Sequence, residues 1–410
     1  MTQHSTVIAG AGQAGYQTAA SLRQEGYDGR IVLIGDEPGL PYQRPPLSKA
    51  YMLGKTDRAG LQFKPEKFFS DNAIDLIHDS VAAIDRSARQ VTLAGGGRHG
   101  YDHLVIATGA RNRPLPVPGA DLEGVMGLRT LADADALALR LNDAEDVVVI
   151  GAGFIGLEFA AVAAALGKRV QVIELAPRVM GRAVSVDMSG FFAAAHAGWG
   201  VTLLPNTGIR AIEGAGGKVA GIELSDGRRL PAQLVVFGIG VMPNAEIALT
   251  SGLPTPNGVE VDATLATSDP AVSAIGDVAC FPCAAAGGRC LRLESVQNAA
   301  DQGRALAARL MGKSAPYAAV PWFWSDQGDL KLQMVGLSDG HDRVIRLGDP
   351  ATRSFTNLLY RGDDLIALES VNRAGDFMVG RKLFAGRARP GPAEAASEGF
   401  DLRAWEAAHR

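Results

Sequence analysis

Two glycine clusters carry the first chemistry legible in the chain. Gly10-Ala11-Gly12-Gln13-Ala14-Gly15 and Gly151-Ala152-Gly153-Phe154-Ile155-Gly156 both fit G-x-G-x-x-G. In such a turn the first glycine makes a sharp bend and the second lets backbone approach a pyrophosphate. The third lets helix and strand pack closely, and the helix N-terminus faces the phosphate charge. An acid about 20 residues on is expected to accept hydrogen bonds from ribose hydroxyls. Asp36, with Glu37 beside it, stands at that distance from the first turn, and Glu174 from the second. Two complete fingerprints imply two bound dinucleotides, and a chain that binds two usually passes hydride between a nicotinamide and a flavin. A carboxylate at Glu174 would repel a 2′-phosphate, which favours NADH over NADPH, whereas the nearby Arg178 could accommodate one.

Other reactive residues carry less. Cys280-Phe281-Pro282-Cys283 has the C-x-x-C spacing of a redox dithiol. The only other cysteine is Cys290, and three sulfurs with no adjacent histidine do not complete a zinc site, so no metal is expected. His99 and His103 are the closest histidines and read as solvated residues at a turn-to-strand entry.

Short apolar runs position the glycine turns. Val7–Ala9, Ile31–Ile34, Val147–Ile150 and Val170–Ile173 read as strands of parallel sheets buried on both faces, with helices over Ala19–Gln24 and Leu157–Leu166. One supersecondary unit therefore occurs twice, about 140 residues apart, a duplicated domain type rather than a solenoid repeat. His103–Ala107 and Leu234–Ile239 are further buried strands. From about Pro321 shorter runs, Lys331–Val335, Arg343–Leu347, Ser354–Tyr360 and Leu365–Val371, alternate with turn signals and predict a small antiparallel sheet. Residues 386–392 read as a mobile Gly/Pro-rich linker, followed by a polar helix at Asp401–Ala408. The fold class is thus α/β, with two Rossmann-like domains and a C-terminal α+β domain.

Composition narrows the function. The net charge of −4 argues against a nucleic-acid partner. No apolar run approaches the ~20 residues that span a bilayer, and the start of the chain lacks a secretory pattern. Three cysteines in 410 residues are no disulfide framework, so a cytoplasmic location is expected.

Beyond the fingerprints, the chain resembles the FAD-dependent, NADH-dependent ferredoxin reductases of oxygenase systems (putidaredoxin reductase-like), within the wider glutathione reductase-like class. The resemblance rests on Leu40-Pro41-Tyr42-Gln43-Arg44-Pro45-Pro46-Leu47-Ser48-Lys49, on Ala107-Thr108-Gly109, on Thr267–Pro270 leading to Ala274-Ile275-Gly276-Asp277, and on Pro321-Trp322-Phe323-Trp324-Ser325-Asp326-Gln327. It implies a discontinuous FAD domain (1–112 and 242–318), an NADH domain (113–241), a C-terminal domain (319–385) and a tail (386–410). It also implies that the turn with Gly10, Gly12, Ala14 and Gly15 holds FAD, with Asp36 at the adenosine ribose and Val81 near the adenine. Arg44, Lys49 and Arg129 would approach the phosphate and flavin ring, Asp277 the ribitol, and Glu294 and Val296 the isoalloxazine. Ala107, Thr108 and Gly109 belong to the same FAD set. Gly151, Gly153, Phe154, Ile155, Gly156, Glu158 and Glu174 would hold NADH. Disulfide-reducing relatives place their cysteine pair elsewhere, which turns Cys280/Cys283 away from chemistry.

The resemblance assigns Lys49, Glu158 and Trp324 to the reacting centre, yet each has a plainer explanation. Lys49 could be a surface lysine, Glu158 a helix-start glutamate favoured by the macrodipole, and Trp324 a core residue. The implied reaction takes hydride from NADH to FAD and passes single electrons to a [2Fe–2S] ferredoxin serving a cytochrome P450 or other oxygenase. Arg304, Arg309, Lys313 and Lys331 are candidates for a basic docking patch. Alternatives on the same scaffold are a rubredoxin reductase, a dehydroascorbate-type reductase, or an apoptosis-inducing-factor-like redox interaction protein.

Overall fold

A computed structural model of the chain describes residues 4–386 and 388–409, divided between two compact units. The first unit runs to Gln43, from Arg58 to Arg111 and from Met242 to Pro321. Its centre is a five-stranded parallel sheet in the order Val272–Ala274, His103–Ile106, Ser5–Ala9, Arg30–Gly35, Ile74–His78. Val7, Ile8, Val32, Leu33, Leu104 and Val105 are wholly buried, which is why these strands read as continuous apolar runs. The helix Gln13–Gln24 follows the first glycine turn and packs on Val296–Leu310. Small residues permit the approach: a Cβ added at Gly303 would lie 3.0 Å from the Ala14 carbonyl oxygen.

The second unit comprises Arg44–Asp57, Asn112–Val241 and the chain from Trp322 onward. Its parallel sheet runs Thr202–Leu204, Arg169–Ile173, Asp146–Ile150, Leu234–Phe237, Val125–Gly127. The fingerprint strand is again flanked by the strand that follows it and by one that returns later, so the duplication extends to topology. It extends further, to a feature that hydrophobic periodicity did not reveal. Each unit inserts a three-stranded antiparallel sheet before the returning strand: Val81–Asp85, Gln90–Leu93 and Arg98–Gly100 in the first, Ile209–Ala215, Lys218–Leu224 and Arg229–Pro231 in the second. In the second unit this insert closes the core, with Ile212, Ile222 and Leu224 packed against Val148, Ile150 and Val235.

The same unit carries an antiparallel sheet ordered Trp322–Gln327, Leu330–Gly336, Asp364–Val371, Ser354–Arg361, Arg343–Asp349. The expected strands are all present, joined by the Trp322–Gln327 edge strand. The linker reading of residues 386–392 includes Arg387, which lies outside the described residues. The residues after it are fastened. Pro390 accepts the Tyr360 hydroxyl at 3.1 Å, and the Arg389 guanidinium donates to the Leu365 carbonyl. The last helix, Leu402–Ala408, is N-capped by Asp401. No described helix is long and apolar enough to cross a membrane.

Candidate functional site

The two glycine turns share one geometry. Gly10 and Gly151 adopt φ of +118° and +99°, and a Cβ on either would collide with the carbonyl of Ala107 or Gly238. Side chains at Gly15 or Gly156 would strike the carbonyl oxygen of Gly10 or Gly151. The middle glycines differ: a Cβ at Gly12 or Gly153 would meet nothing within 4 Å. These two open onto space rather than protein.

The helix caps point the same way. Thr130, Ser185 and Ser295 each cap a helix with a side-chain oxygen accepting a backbone N–H. The fingerprint helices Gln13–Gln24 and Phe154–Ala165 are capped by Gly12 and Gly153, with no side-chain acceptor and no acid in the first turn. Their donors are left to an external anion, and the macrodipole adds positive potential there. Both turns therefore fit a dinucleotide pyrophosphate.

The acids are held differently. Glu174 accepts the backbone N–H of Ala152 at 2.7 Å and of Ala176 at 2.8 Å, which pins its carboxylate against the second turn. The Arg178 guanidinium donates to the carbonyls of Val184, Ser185 and Gly181. Asp36 is exposed at the end of the strand Arg30–Gly35, and Glu37 accepts the Tyr42 hydroxyl.

The second unit also contains a buried ion pair joining residues 109 positions apart (158 − 49). Lys49 Nζ lies 2.9 Å from Glu158 Oε1, with side-chain exposures of 16% and 5%. Ser325 Oγ donates to Oε1 and Ser48 Oγ to Oε2, each at 2.6 Å. Burial pushes the Glu158 carboxyl above the usual range, while Lys49 and the hydroxyl donors pull it down. Neither plain explanation survives: Lys49 is no solvated surface lysine, and Glu158 lies beyond the first turn of its helix, which holds no acid. Sequence reasoning passed over Ser48 and Ser325 as functional residues, although both stand in segments that carry the resemblance.

The other singled-out residues gather within their own units. In the first, Gly276 sits over the fingerprint helix, where an added Cβ would lie 3.0 Å from the Ala14 Cβ. Its N–H donates to Gln302 Oε1 at 2.7 Å, which holds the Asp277 turn there. Ala107 donates to Ala9 O, and Thr108 Oγ1 to Asn244 O, just before Gly109. Glu294 pairs with Arg292 at 2.8 Å, and Val296 opens the helix capped by Ser295. Val81 begins the inserted antiparallel sheet. In the second unit, Arg44 Nη1 donates to the Arg129 carbonyl at 2.8 Å. Trp324 is half-buried, its ring centroid 5.8 Å from that of Trp322. Phe154 packs on Phe323 at 4.6 Å, and Ile155 is exposed.

Cys280 does not face Cys283, its C-x-x-C neighbour, a pair already set aside from the chemistry. It bonds Cys290 instead, their Cα atoms 5.6 Å apart where Ala279–Pro282 runs antiparallel to Cys290–Leu291; Cys283 is buried and free. The expected basic patch is corrected at Arg309, which turns inward to donate to Thr264 O and Ser273 Oγ. Arg304 and Lys313 are paired with Asp301 and Glu25, and Lys331 lies in the other unit.

Two open glycine turns, each on its own parallel sheet, define a two-nucleotide oxidoreductase. Residues 4–303 match the pyridine nucleotide-disulphide oxidoreductase family, and the chain belongs to it; residues 322–405 match the reductase C-terminal family. Among relatives, rhodocoxin reductase of Rhodococcus erythropolis is 48% identical over 99% of this chain and 95% of its own. The crystal structure of the ferredoxin reductase for the CYP199A2 system from Rhodopseudomonas palustris superimposes with TM-score 0.96 at 53% identity, covering 98% of this chain and 99% of that one. The reductase of the covalent putidaredoxin reductase–putidaredoxin complex does so with TM-score 0.95 at 38% identity, over 100% of this chain and 99% of that one.

Proposed function

We propose that the chain is an NADH:ferredoxin oxidoreductase that uses FAD and supplies single electrons to a [2Fe–2S] ferredoxin serving an oxygenase, such as a cytochrome P450. The observation that carries the reading is the duplicated open turn. Two dinucleotide sites in one chain have hydride transfer between the cofactors as their joint use, and the relatives named above supply the class of electron acceptor. When bound, FAD takes the two electrons of hydride together and gives them up singly.

The protein's part is binding, alignment and charge. In this reading residues 1–112 and 242–318 hold FAD, through Gly10, Gly12, Ala14, Gly15, Asp36, the Ala107–Gly109 turn and Asp277. Residues 113–241 hold NADH, through Gly151, Gly153, Gly156 and Glu174. Glu174 with its two backbone donors, and Arg178 committed to carbonyls, support NADH over NADPH. Lys49 and Glu158 form the charged pair of the reacting centre, where an ammonium stabilises negative charge that develops during transfer. The cytoplasm, with its NADH pool, is the proposed location.

Anaerobic titration tests the reading. The yellow protein should bleach on addition of NADH and recover colour with a [2Fe–2S] ferredoxin from a panel that also includes rubredoxin and dehydroascorbate. Protein that stays colourless after flavin reconstitution, or that bleaches only with a dithiol substrate, would overturn it.

A further inference from the structure

The hydrogen bonds around Glu158 continue past Ser325. Gln327, two residues along the edge strand Trp322–Gln327, donates its amide to Ser325 Oγ at 3.2 Å. Its Oε1 lies 2.8 Å from His196 Nε2, on the helix Val186–Gly198. Ser325, Gln327 and His196 are all fully buried, and His196 Nδ1 has no partner among the described residues. Burial holds His196 below its ordinary range, hence neutral. With Nε2 carrying the proton, every donor in the chain points one way: imidazole to amide oxygen, amide to hydroxyl, hydroxyl to carboxylate. A run of aligned donors polarises itself and favours negative charge at its end.

We propose that Ser325, Gln327 and His196 form a positioning relay that keeps Glu158 ionised and turned toward Lys49. The inference rests on the reading of Lys49 and Glu158 as the reacting pair. The relay acts through Glu158 and touches no cofactor itself. The groups facing Glu158 are few: Lys49 and Ser48 from the segment Arg44–Asp57, and Ser325 from the edge strand, whose Asp326 is directed to Lys331 at 3.8 Å. Removing Ser325 Oγ therefore strips one of three donors from a buried carboxylate.

The test uses the holoenzyme and the variants Ser325→Ala, Ser325→Thr and Gln327→Leu. The acidic limb of NADH-driven flavin bleaching is followed by stopped flow across pH. A readout independent of turnover is the infrared carboxyl band of Glu158, assigned by its loss in Glu158→Gln and titrated in the resting protein. Ser325→Ala should move both the limb and the band upward by about one pH unit, a tenfold rise in proton affinity. Gln327→Leu should move them the same way by less, and Ser325→Thr should restore the wild-type positions. Coincident titrations of Ser325→Ala and wild type, or a threonine variant that fails to restore them, would overturn the relay. Wild-type protein that never bleaches with NADH would sink the enzymatic reading alone, because the band titration would still judge the relay.

Discussion

The two fingerprint turns superficially repeat each other, yet their flanking acids do not occupy equivalent places. Gly10 N–H donates to Ile34 O and Gly151 N–H to Ile173 O, both at 2.8 Å, so Glu174 corresponds to Gly35 and not to Asp36. A side chain is excluded at Gly35, where a Cβ would lie 2.5 Å from the Ala11 Cβ. The first turn thus carries its acid one residue later, exposed, whereas the second clasps its acid with two amides. A second contrast falls seven residues past each first glycine. There the first helix has Gln17, which donates to Ser21 Oγ, and the second has Glu158, buried against Lys49. At this position one copy of the scaffold carries a neutral amide, and the other a buried charge pair. The lesson is that duplication preserves the backbone that holds phosphate while the side chains around it diverge with the chemistry.

The buried pair offers the largest effect. Lys49→Met leaves Glu158 as an uncompensated buried carboxylate and should cost about 3 kcal/mol at pH 8 in chemical denaturation, whereas Gln17→Met should cost less than about 0.5 kcal/mol. The sign with pH follows from the raised carboxyl of Glu158. The folded state holds that proton to higher pH than the unfolded chain, so the variant loses stability as pH rises above the ordinary glutamate range and recovers it on acidification. A pH-independent loss would mean that packing, not charge, separates the two helices.

Next come the third glycines. Gly15→Ala and Gly156→Ala each force a methyl onto a carbonyl and should lower stability by about 2 kcal/mol apiece, read from urea midpoints. Unequal losses would break the likeness between the turns. The middle glycines sharpen it in a different currency. Gly12→Ala and Gly153→Ala meet no protein atom, so folding should survive both. Gly12→Ala should purify without flavin, while Gly153→Ala should stay yellow and bind NADH at least about tenfold more weakly by calorimetry.

The smallest effects belong to the acids. Glu174→Ala removes the acceptor of two amides and should cost about 1 kcal/mol of stability, together with much of the preference for NADH over NADPH. Asp36→Ala should leave stability within about 0.5 kcal/mol and the nicotinamide preference untouched. Steady-state kinetics with both nicotinamides settles the second half. An equal loss of preference in both variants would erase the difference in how the acids are held.

What could be read from the sequence was local. The fingerprints, their strands and the C-terminal hairpins each announce themselves within a dozen residues, through glycine spacing, apolar runs and turn signals. The inserted antiparallel sheets were not legible, because strands such as Val81–Asp85 are mostly exposed and too short for their alternation to stand out. Side-chain partners separated along the chain were equally silent. Nothing in the spacing brings Lys49 to Glu158; only the family resemblance singled both out, and it gave Ser325 and Gln327 no role of their own. Arg309 looks like a surface arginine until the strand bearing Ser273 is seen to receive it. Cys280 finds Cys290 rather than Cys283 because a hairpin decides the matter.

The interleaving of the two units has a consequence for how the molecule is born. The polypeptide changes unit after Gln43, Asp57, Arg111, Val241 and Pro321. A ribosome that has released the first glycine turn must still deliver the strand Val272–Ala274 and the helix Val296–Leu310 before the sheet around that turn has its edge and its cover. Nascent chains stalled short of that point would present a half-clothed sheet to chaperones, and flavin capture would have to wait until synthesis is three-quarters done.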